Sequence, residues 1–523
     1  MGLILALAFF VRAYHIESIP GGLYPDEATN GIDGLQANES GEYKLFYENN
    51  YGREGLFITL QALAVRFFGN TVPVLKAWSI IFGTLTVFGM YLLGKELYHR
   101  RAAGLIAAFM MATSFWAINF SRIGFRAIMV SFILTFSLYF FLKGFESRYW
   151  KHFLYSGLIF GLGLHTYVAF RLAPLILILL VPALMLTYEN FWKTYWKPTL
   201  AFILGAFITA APMFYDFYKH PTHFSSRTGA VSIFSPEINK GHPVALLGKT
   251  FGLSLVKYNF WGDQNWRHNY PPYPILDPFV GTLFLVGFLF VLYQTVYLLG
   301  ERIRKRKRDE RLVRNWMLLA TFFVMLMPEF LTEEGLPHAL RSIGTQPAVF
   351  LLATLPAIRL IDRAKNASAG LKTVFLSLIM LALFLSAVFN LTKYFVFFAM
   401  SPVQMGAFNK NFTNMSQYLM ALPPETMKYV YANAGGQTIN NGLPVTAQPI
   451  VFLTHGKVEN LVFLDADTKI RTNDSVIILM NYDTGIVERL SKRYPLALVE
   501  KVDLSPGTQS EFTAIRFPNS IKR

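Results

Sequence analysis

The 523-residue chain contains no cysteine. Disulfides, a thiolate nucleophile and a cysteine-ligated zinc site are therefore excluded, and thiols give no guide to its compartment. Charged side chains are scarce: 15% of the residues, against 53% hydrophobic and 16% aromatic, a balance outside the soluble range. Acids are scarcer than bases, 32 against 48, for a net charge of +16. In a soluble fold that surplus would point to nucleic acid. Here the bases fall between apolar runs, where they act as topology signals, so no nucleic-acid partner is expected. Internal repeats, a Gly-rich phosphate loop, Asp-x-Asp in the loops between spans and paired histidines at ligand spacing are also missing. No cofactor and no metal are expected. The chain reads as an α-helical polytopic membrane protein.

Apolar runs long enough to cross a bilayer fall near 74–94, 102–120, 127–142, 153–170, 172–188, 199–215, 278–299, 316–331, 343–361 and 373–392. With Met1–Val11 they make about eleven spans. Met1–Val11 is about half the roughly 20 residues a span needs, which predicts that the start cuts off the first half of a true span. Arg53–Gly69, interrupted by Thr59, Gln61 and Arg66, fits a helix lying in the interface. Lys95, Arg100 and Arg101, then Lys143, Arg148 and Lys151, then Lys193 and Lys197, then Arg302–Arg308, and last Arg363, Lys365 and Lys372 mark alternate connections. The positive-inside rule makes these cytoplasmic and the other set extracytoplasmic. Arg302–Arg308 is a cytoplasmic anchor for anionic lipid or a specific lipid site.

The expected organisation is a membrane portion over 1–392, with a first outer loop at 15–73 and another at 216–277, followed by a small extracytoplasmic α/β domain over 393–523. In that domain, strands are predicted at 428–431, 450–453, 460–464, 475–480, 497–502 and 512–517, and a helix at 486–494. Asp465-Ala466-Asp467 reads as a turn.

The candidate site residues belong to the outward set. Tyr24-Pro25-Asp26-Glu27 opens a polar stretch that continues to Asp33. Adjacent carboxylates can serve as a general base and its partner, or they are part of a solvated turn. Arg122 and Arg126 lie four residues apart, and Arg171 follows His165 and Tyr167 beside a proline. Outward arginines are phosphate forks or snorkelling anchors. The aromatic loop around Asp263, Arg267 and His268 reads as a binding loop for something polar, and Glu334, His338 and Arg341 share its side of the membrane.

Over the membrane portion these features resemble the GT-C glycosyltransferases of the protein O-mannosyltransferase and lipid A aminoarabinose transferase type. The resemblance rests on Tyr24-Pro25-Asp26-Glu27 after the first span, Gly52-Arg53-Glu54-Gly55 opening the interfacial segment, and Ser121-Arg122. It implies an inverting transferase that moves a monosaccharide from a polyprenyl phosphate to an acceptor hydroxyl or amine at the outer face. Asp26 would be the base and Glu27 its partner. Arg53, Arg122 and Arg341, with Arg126 and Arg171 behind them, would hold the donor phosphate. Tyr24, Asp33, His165, Tyr167, Asp263, Arg267, His268, Glu334 and His338 would contact substrate. Besides membrane lipids, the partners implied are the lipid-linked sugar and a lipid, glycan or protein acceptor. The alternative from another class is a transporter or flippase of lipid-linked glycans, for which repeated halves and midplane charges are the expected marks.

Overall fold

The computed structural model describes residues 1–225, 232–464, 469–471 and 473–517. Asp465-Ala466-Asp467 lies outside them. The chain forms two compact units, one of Met1–Tyr14, Glu54–Phe57 and Trp78–Phe397, the other of His15–Arg53, Ile58–Ala77 and Phe398–Arg523. Composition suggested a single cut near 393 that left the first outer loop with the membrane portion. The second unit is instead discontinuous: apolar residues of that loop find their core among residues of the C-terminal chain, which a reading of contiguous segments cannot detect.

Among the described residues eight helices are long and apolar enough to cross a membrane: Val72–Tyr98, Ile128–Ser147, Val168–Thr187, Phe191–Lys219, Pro278–Lys305, Arg311–Phe330, Ile343–Lys365 and Ala369–Phe398. A ninth is bent by 63° between Arg101–Thr113 and Phe115–Ser121. The chain is thus a multi-pass membrane protein, and among the described residues eight or nine helices reach spanning length against the about eleven spans expected. Two apolar runs form helices that are too short: Gly2–Ala13, of 12 residues, and Trp150–Leu162, of 13. At 1.5 Å per residue neither covers a hydrocarbon core of about 30 Å. The run expected over 153–170 stops at Leu162 and gives way to 3-10 turns at Gly163–His165 and Val168–Leu172. Gly161 and Gly163 stand at that break, and a Cβ on either would collide with Ala206 O or the Phe170 ring. Gly55–Phe68, of 14 residues, is also below spanning length.

Polar side chains hold the broken helices. Helix ends leave carbonyls and amides without intrahelical partners, which is costly away from water. Arg12 donates to Met111 O and Ala112 O, at 3.3 and 3.1 Å, where the bent helix ends its first half. Asn390 Oδ1 accepts the Phe115 N–H that opens the second half, at 3.1 Å. Arg122 in turn donates to Val11 O, Arg12 O and Tyr14 O at 2.6–2.9 Å, closing the end of Gly2–Ala13. The two arginines therefore cap each other's helices.

In the second unit a five-stranded sheet has the order Leu461–Phe463, Met427–Tyr431, Ser475–Leu479, Phe512–Phe517, Leu498–Val502. The first three strands are parallel, and the last two pairings are antiparallel. Side chains alternate between faces with period two. Val430, Val476, Ile478 and Ala514 pack with Phe412, Met415 and Leu419 of helix Lys410–Ala421, and Tyr429, Ile477, Leu479 and Ile515 pack with Ile486 and Leu490 of helix Thr484–Arg493. The strand expected at 450–453 is a helix, Gln448–Thr454. Its β-branched run misleads, whereas Pro449 in the first turn is a helix-start signal.

That helix is buried on two sides. Ile450 and Ala447 join the sheet core, while Phe452 and Leu453 pack with Leu23, Ala28 and Ile32 of the helix Pro25–Ser40 and its approach. Gly31 makes the close approach possible, because a Cβ there would sit 2.6 Å from the Phe452 ring. We expect Gly31→Ala to lower the thermal unfolding midpoint by the equivalent of about 1–3 kcal/mol of overpacking. Phe452→Leu introduced with it should recover part of that loss. An unchanged midpoint for Gly31→Ala would show that the contact is slack.

Candidate active site

In the second unit the polar cluster is built on Pro25–Ser40. Pro25 opens this helix, and Glu27 Oε2 accepts the Tyr24 N–H at 3.1 Å, satisfying a group at the helix start. Tyr24 is half-buried, its ring edge-on to Phe408 at 6.4 Å. Glu27 is fully buried, but Asp26 on the same turn is half-buried. Asn50 Nδ2 donates to Asp26 Oδ1 at 2.8 Å and is its only hydrogen-bond partner among the described residues. Two turns on, Asp33 is buried in an ion pair with Arg53 and accepts from Asn49 Nδ2 at 2.7 Å. Arg53 also donates to Asn30 Oδ1 at 2.5 Å and Asn49 O at 3.1 Å. A guanidinium sealed in this way fixes the helix against the 49–53 segment. Asp33, expected to contact substrate, is its counter-ion.

The first unit carries two further clusters. Glu54, which was not nominated from the sequence, binds both Arg126 and Arg171, each at 2.8 Å, and its side chain is 2% exposed. Burial pushes the Glu54 carboxyl up, but the Arg126 and Arg171 charges outweigh burial and hold it below the ordinary carboxylate value. Arg126 lies over the Tyr167 ring at 5.4 Å, while Arg171 lies over Phe217 and Phe224 and donates to Phe224 O. His165 Nε2 donates to Thr209 O at 2.8 Å, and burial lowers its proton affinity. Arg122 is fully buried over Tyr394 and Phe395, with its donors on helix carbonyls. Its phosphate-like partners are thus backbone oxygens.

The other cluster joins the aromatic loop to the segment after Phe330. Asp263 is buried and accepts from His268 Nδ1 at 3.0 Å, Ala339 N at 2.7 Å and Asn265 N at 2.8 Å. The His268 and His338 rings lie 4.7 Å apart. Desolvation, the His268 ring and the Arg341 charge push His338 well below the ordinary imidazole value. Lys257 and Glu329 form a fully buried pair, and Glu329 Oε1 accepts the His338 N–H at 2.9 Å. Arg341 binds Glu334 Oε2 and Thr332 Oγ1 at 2.7 and 2.6 Å, and Arg267 Nε reaches Asn265 Oδ1 at 3.2 Å. Asp263, His268, His338 and one ligand atom from each within 4.8 Å of the others make a set that could hold a metal ion. Sequence spacing could not show it, since residues 75 apart supply it. Glu54, Lys257, Glu329 and Arg12 were missed likewise; for Glu54 the one signal was a carboxylate heading an apolar helix.

Because the folded Glu54 carboxyl is depressed, its stabilisation is complete above the unfolded value of about 4.3. It is lost as pH falls through the lower folded value. Thermal unfolding of the detergent-solubilised protein should therefore lose this contribution only below about pH 4. Glu54→Gln should unfold earlier at pH 7, by on the order of 3–5 kcal/mol for a broken buried pair. The gap to wild type should narrow in acid; a gap independent of pH would remove the carboxylate charge from the account.

Residues 56–215 match the family described as dolichyl-phosphate-mannose-protein mannosyltransferase. Among curated proteins, no sequence matches. Among solved structures, ArnT from Cupriavidus metallidurans bound to undecaprenyl phosphate is similar over 98% of this chain and 97% of its own, at 14% identity and a TM-score of 0.54. The same protein in the apo state gives 13% and 0.53, over the same shares. The archaeal oligosaccharyltransferase AglB from Archaeoglobus fulgidus, in complex with an inhibitory peptide and a dolichol-phosphate, is similar over 87% of this chain and 64% of its own, at 15% identity and a TM-score of 0.50. At such identities the likeness is one of fold. Residues 56–215 thus resemble the dolichyl-phosphate-mannose-protein mannosyltransferase family, and nearly the whole chain shares the fold of the ArnT structures.

Proposed function

We propose that the chain is an inverting glycosyltransferase that moves a hexosyl or pentosyl unit from a polyprenyl phosphate to an acceptor hydroxyl or amine at the extracytoplasmic face. Two findings support the lipid donor: the family match and the undecaprenyl phosphate and dolichol-phosphate named for the neighbours of the same fold. The family match also favours an enzyme over a glycan transporter.

The observation that carries the reading is the state of Asp26. Glu27 and Asp33 are spent on a backbone amide and a buried arginine, whereas Asp26 is half-buried with one neutral partner. Of these three acids, Asp26 is the one whose carboxylate has neither a charged nor a backbone partner among the described residues. In the proposed reaction Asp26 removes the acceptor's proton and the acceptor attacks the anomeric carbon. The bond from that carbon to the phosphate oxygen breaks with its electron pair leaving on phosphate. A single displacement inverts the centre. Arg53 and Arg122 have their donors on protein groups, so the phosphate role passes to Arg126 and Arg171. Two guanidinium groups face the one Glu54 carboxylate there, which leaves a net positive charge to meet an anion.

Asp26→Asn keeps an oxygen for Asn50 but removes the base. Transfer from a synthetic polyprenyl-phosphate sugar by purified protein should fall about 100-fold or more, with the unfolding midpoint unchanged. Turnover within a few-fold of wild type would sink the assignment. Arg126→Lys keeps the charge and loses the fork, so the donor KM should rise; a KM equal to wild type would leave Arg126 as a structural partner of Glu54.

A further inference from the structure

The buried carboxylate of Asp263 is unusual in its company. Among the described residues no lysine or arginine lies within ion-pair distance of it, and its side-chain partner is a histidine. Nearby Lys257 is committed to Glu329 and Arg341 to Glu334. A carboxylate removed from water needs a cation, and in proteins that cation is a paired side chain or a metal. A proton on His268 would answer the charge but gives no role to the second imidazole. His338 lies beside the first at 4.7 Å between centroids. Neither His268 Nε2 nor His338 Nε2 has a hydrogen-bond partner among the described residues. His268 is 3% exposed and sits over the Phe120 ring at 5.7 Å, so its ring cannot swing to solvent for a partner.

We propose that Asp263, His268 and His338 bind one divalent transition-metal ion of the zinc type, each supplying a ligand atom. Imidazole with carboxylate suits zinc and its first-row neighbours rather than magnesium or calcium, which prefer oxygen alone. The three ligand atoms lie within 4.8 Å of one another, and the His268–Asp263 pair is already at 3.0 Å. Ligands at about 2.0–2.2 Å from a tetrahedral ion lie about 3.3–3.5 Å apart. Closure therefore asks for a movement of about 1 Å, by His338, the half-buried member on an irregular segment. The ion takes the place of the hydrogen between His268 Nδ1 and Asp263, and the neutral imidazole then carries its proton on Nε2. Ala339 N–H and Asn265 N–H stay on the carboxylate and orient it. The bound ion ties the 259–277 loop to the segment after Phe330, two stretches far apart in sequence. Nothing in this proposal depends on the transfer reaction.

The test uses the full-length protein, stripped with chelator and titrated with Co²⁺ alone, then with Zn²⁺ in competition. One Co²⁺ per chain should bind with visible d–d absorption, and Zn²⁺ should bleach it. Zn²⁺ should also raise the unfolding midpoint of wild type by several degrees. His338→Gln and Asp263→Asn, each checked for an unchanged elution profile, should lose both the absorption and the metal-dependent shift. Absence of stoichiometric Co²⁺ binding by wild type would overturn the site. So would binding that survives in both variants. If the variants fail to fold, histidine modification by diethyl pyrocarbonate decides: Zn²⁺ should protect His338, the half-buried ligand, in wild type, and equal modification of His338 with and without Zn²⁺ counts against the proposal.

Discussion

Buried charge that must be neutralised inside an apolar protein organises both units. Arg53 and Glu54 are consecutive residues, and each is fully buried and answered within its own unit: Arg53 by Asp33, Asn30 and the Asn49 carbonyl, Glu54 by Arg126 and Arg171. Removing one member of such a pair strands the other at a cost of several kcal/mol, while the intact pair contributes much less than its Coulomb energy because both charges lost their water. These pairs are therefore best understood as devices that permit one arrangement and penalise others. Helix Pro25–Ser40 cannot turn about its axis without unmaking the Asp33–Arg53 contact, and in this way Asp26 acquires a fixed direction.

The same economy governs the broken helices. A bend of 63° frees carbonyls and amides that a straight span would bond internally. Arg12 and Asn390 take them up, and Asn390 is itself held by Asp277 Oδ2 at 2.8 Å while Asp277 Oδ1 caps the helix Pro278–Lys305. The bend is thus paired with a side-chain network that runs through three helices. Irregular backbone is tolerated in a membrane protein where it is buried in protein in this manner, and these polar residues explain why charges occur in stretches otherwise composed for lipid.

Composition and apolar periodicity made the membrane class and most spans legible, because hydropathy is a local property. What escaped depends on partners distant in sequence. The run 153–170 has the hydropathy of a span, but its helix stops at Leu162 and gives way to 3-10 turns beside tight contacts at Gly161 and Gly163. Ile450-Val451-Phe452-Leu453 has strand composition, yet it lies between a sheet and a helix and folds helically. The arginines show the same limit: Arg122, Arg126 and Arg171 stood out in the sequence as outward cations and Arg53 entered by resemblance, all as phosphate contacts, and the fold separates two sealed on protein groups from two that share a single carboxylate.

That separation extends to the carboxylates, and it bears on how a base is recognised without a ligand in view. Asp26, Glu27, Asp33 and Glu54 are all buried or half-buried acids of residues 15–73, and a motif alone cannot rank them. A base must be able to accept a proton, so it cannot be one whose charge already holds the fold. Glu27 supports the helix start, Asp33 answers Arg53, and Glu54 answers two arginines. Protonating any of these would cost an interaction the structure relies on. Asp26 accepts one neutral hydrogen bond and keeps part of its surface open, so its protonation disturbs the least. Its neighbours commit their charge to the scaffold, and this is why the proposed reaction assigns the proton transfer to Asp26.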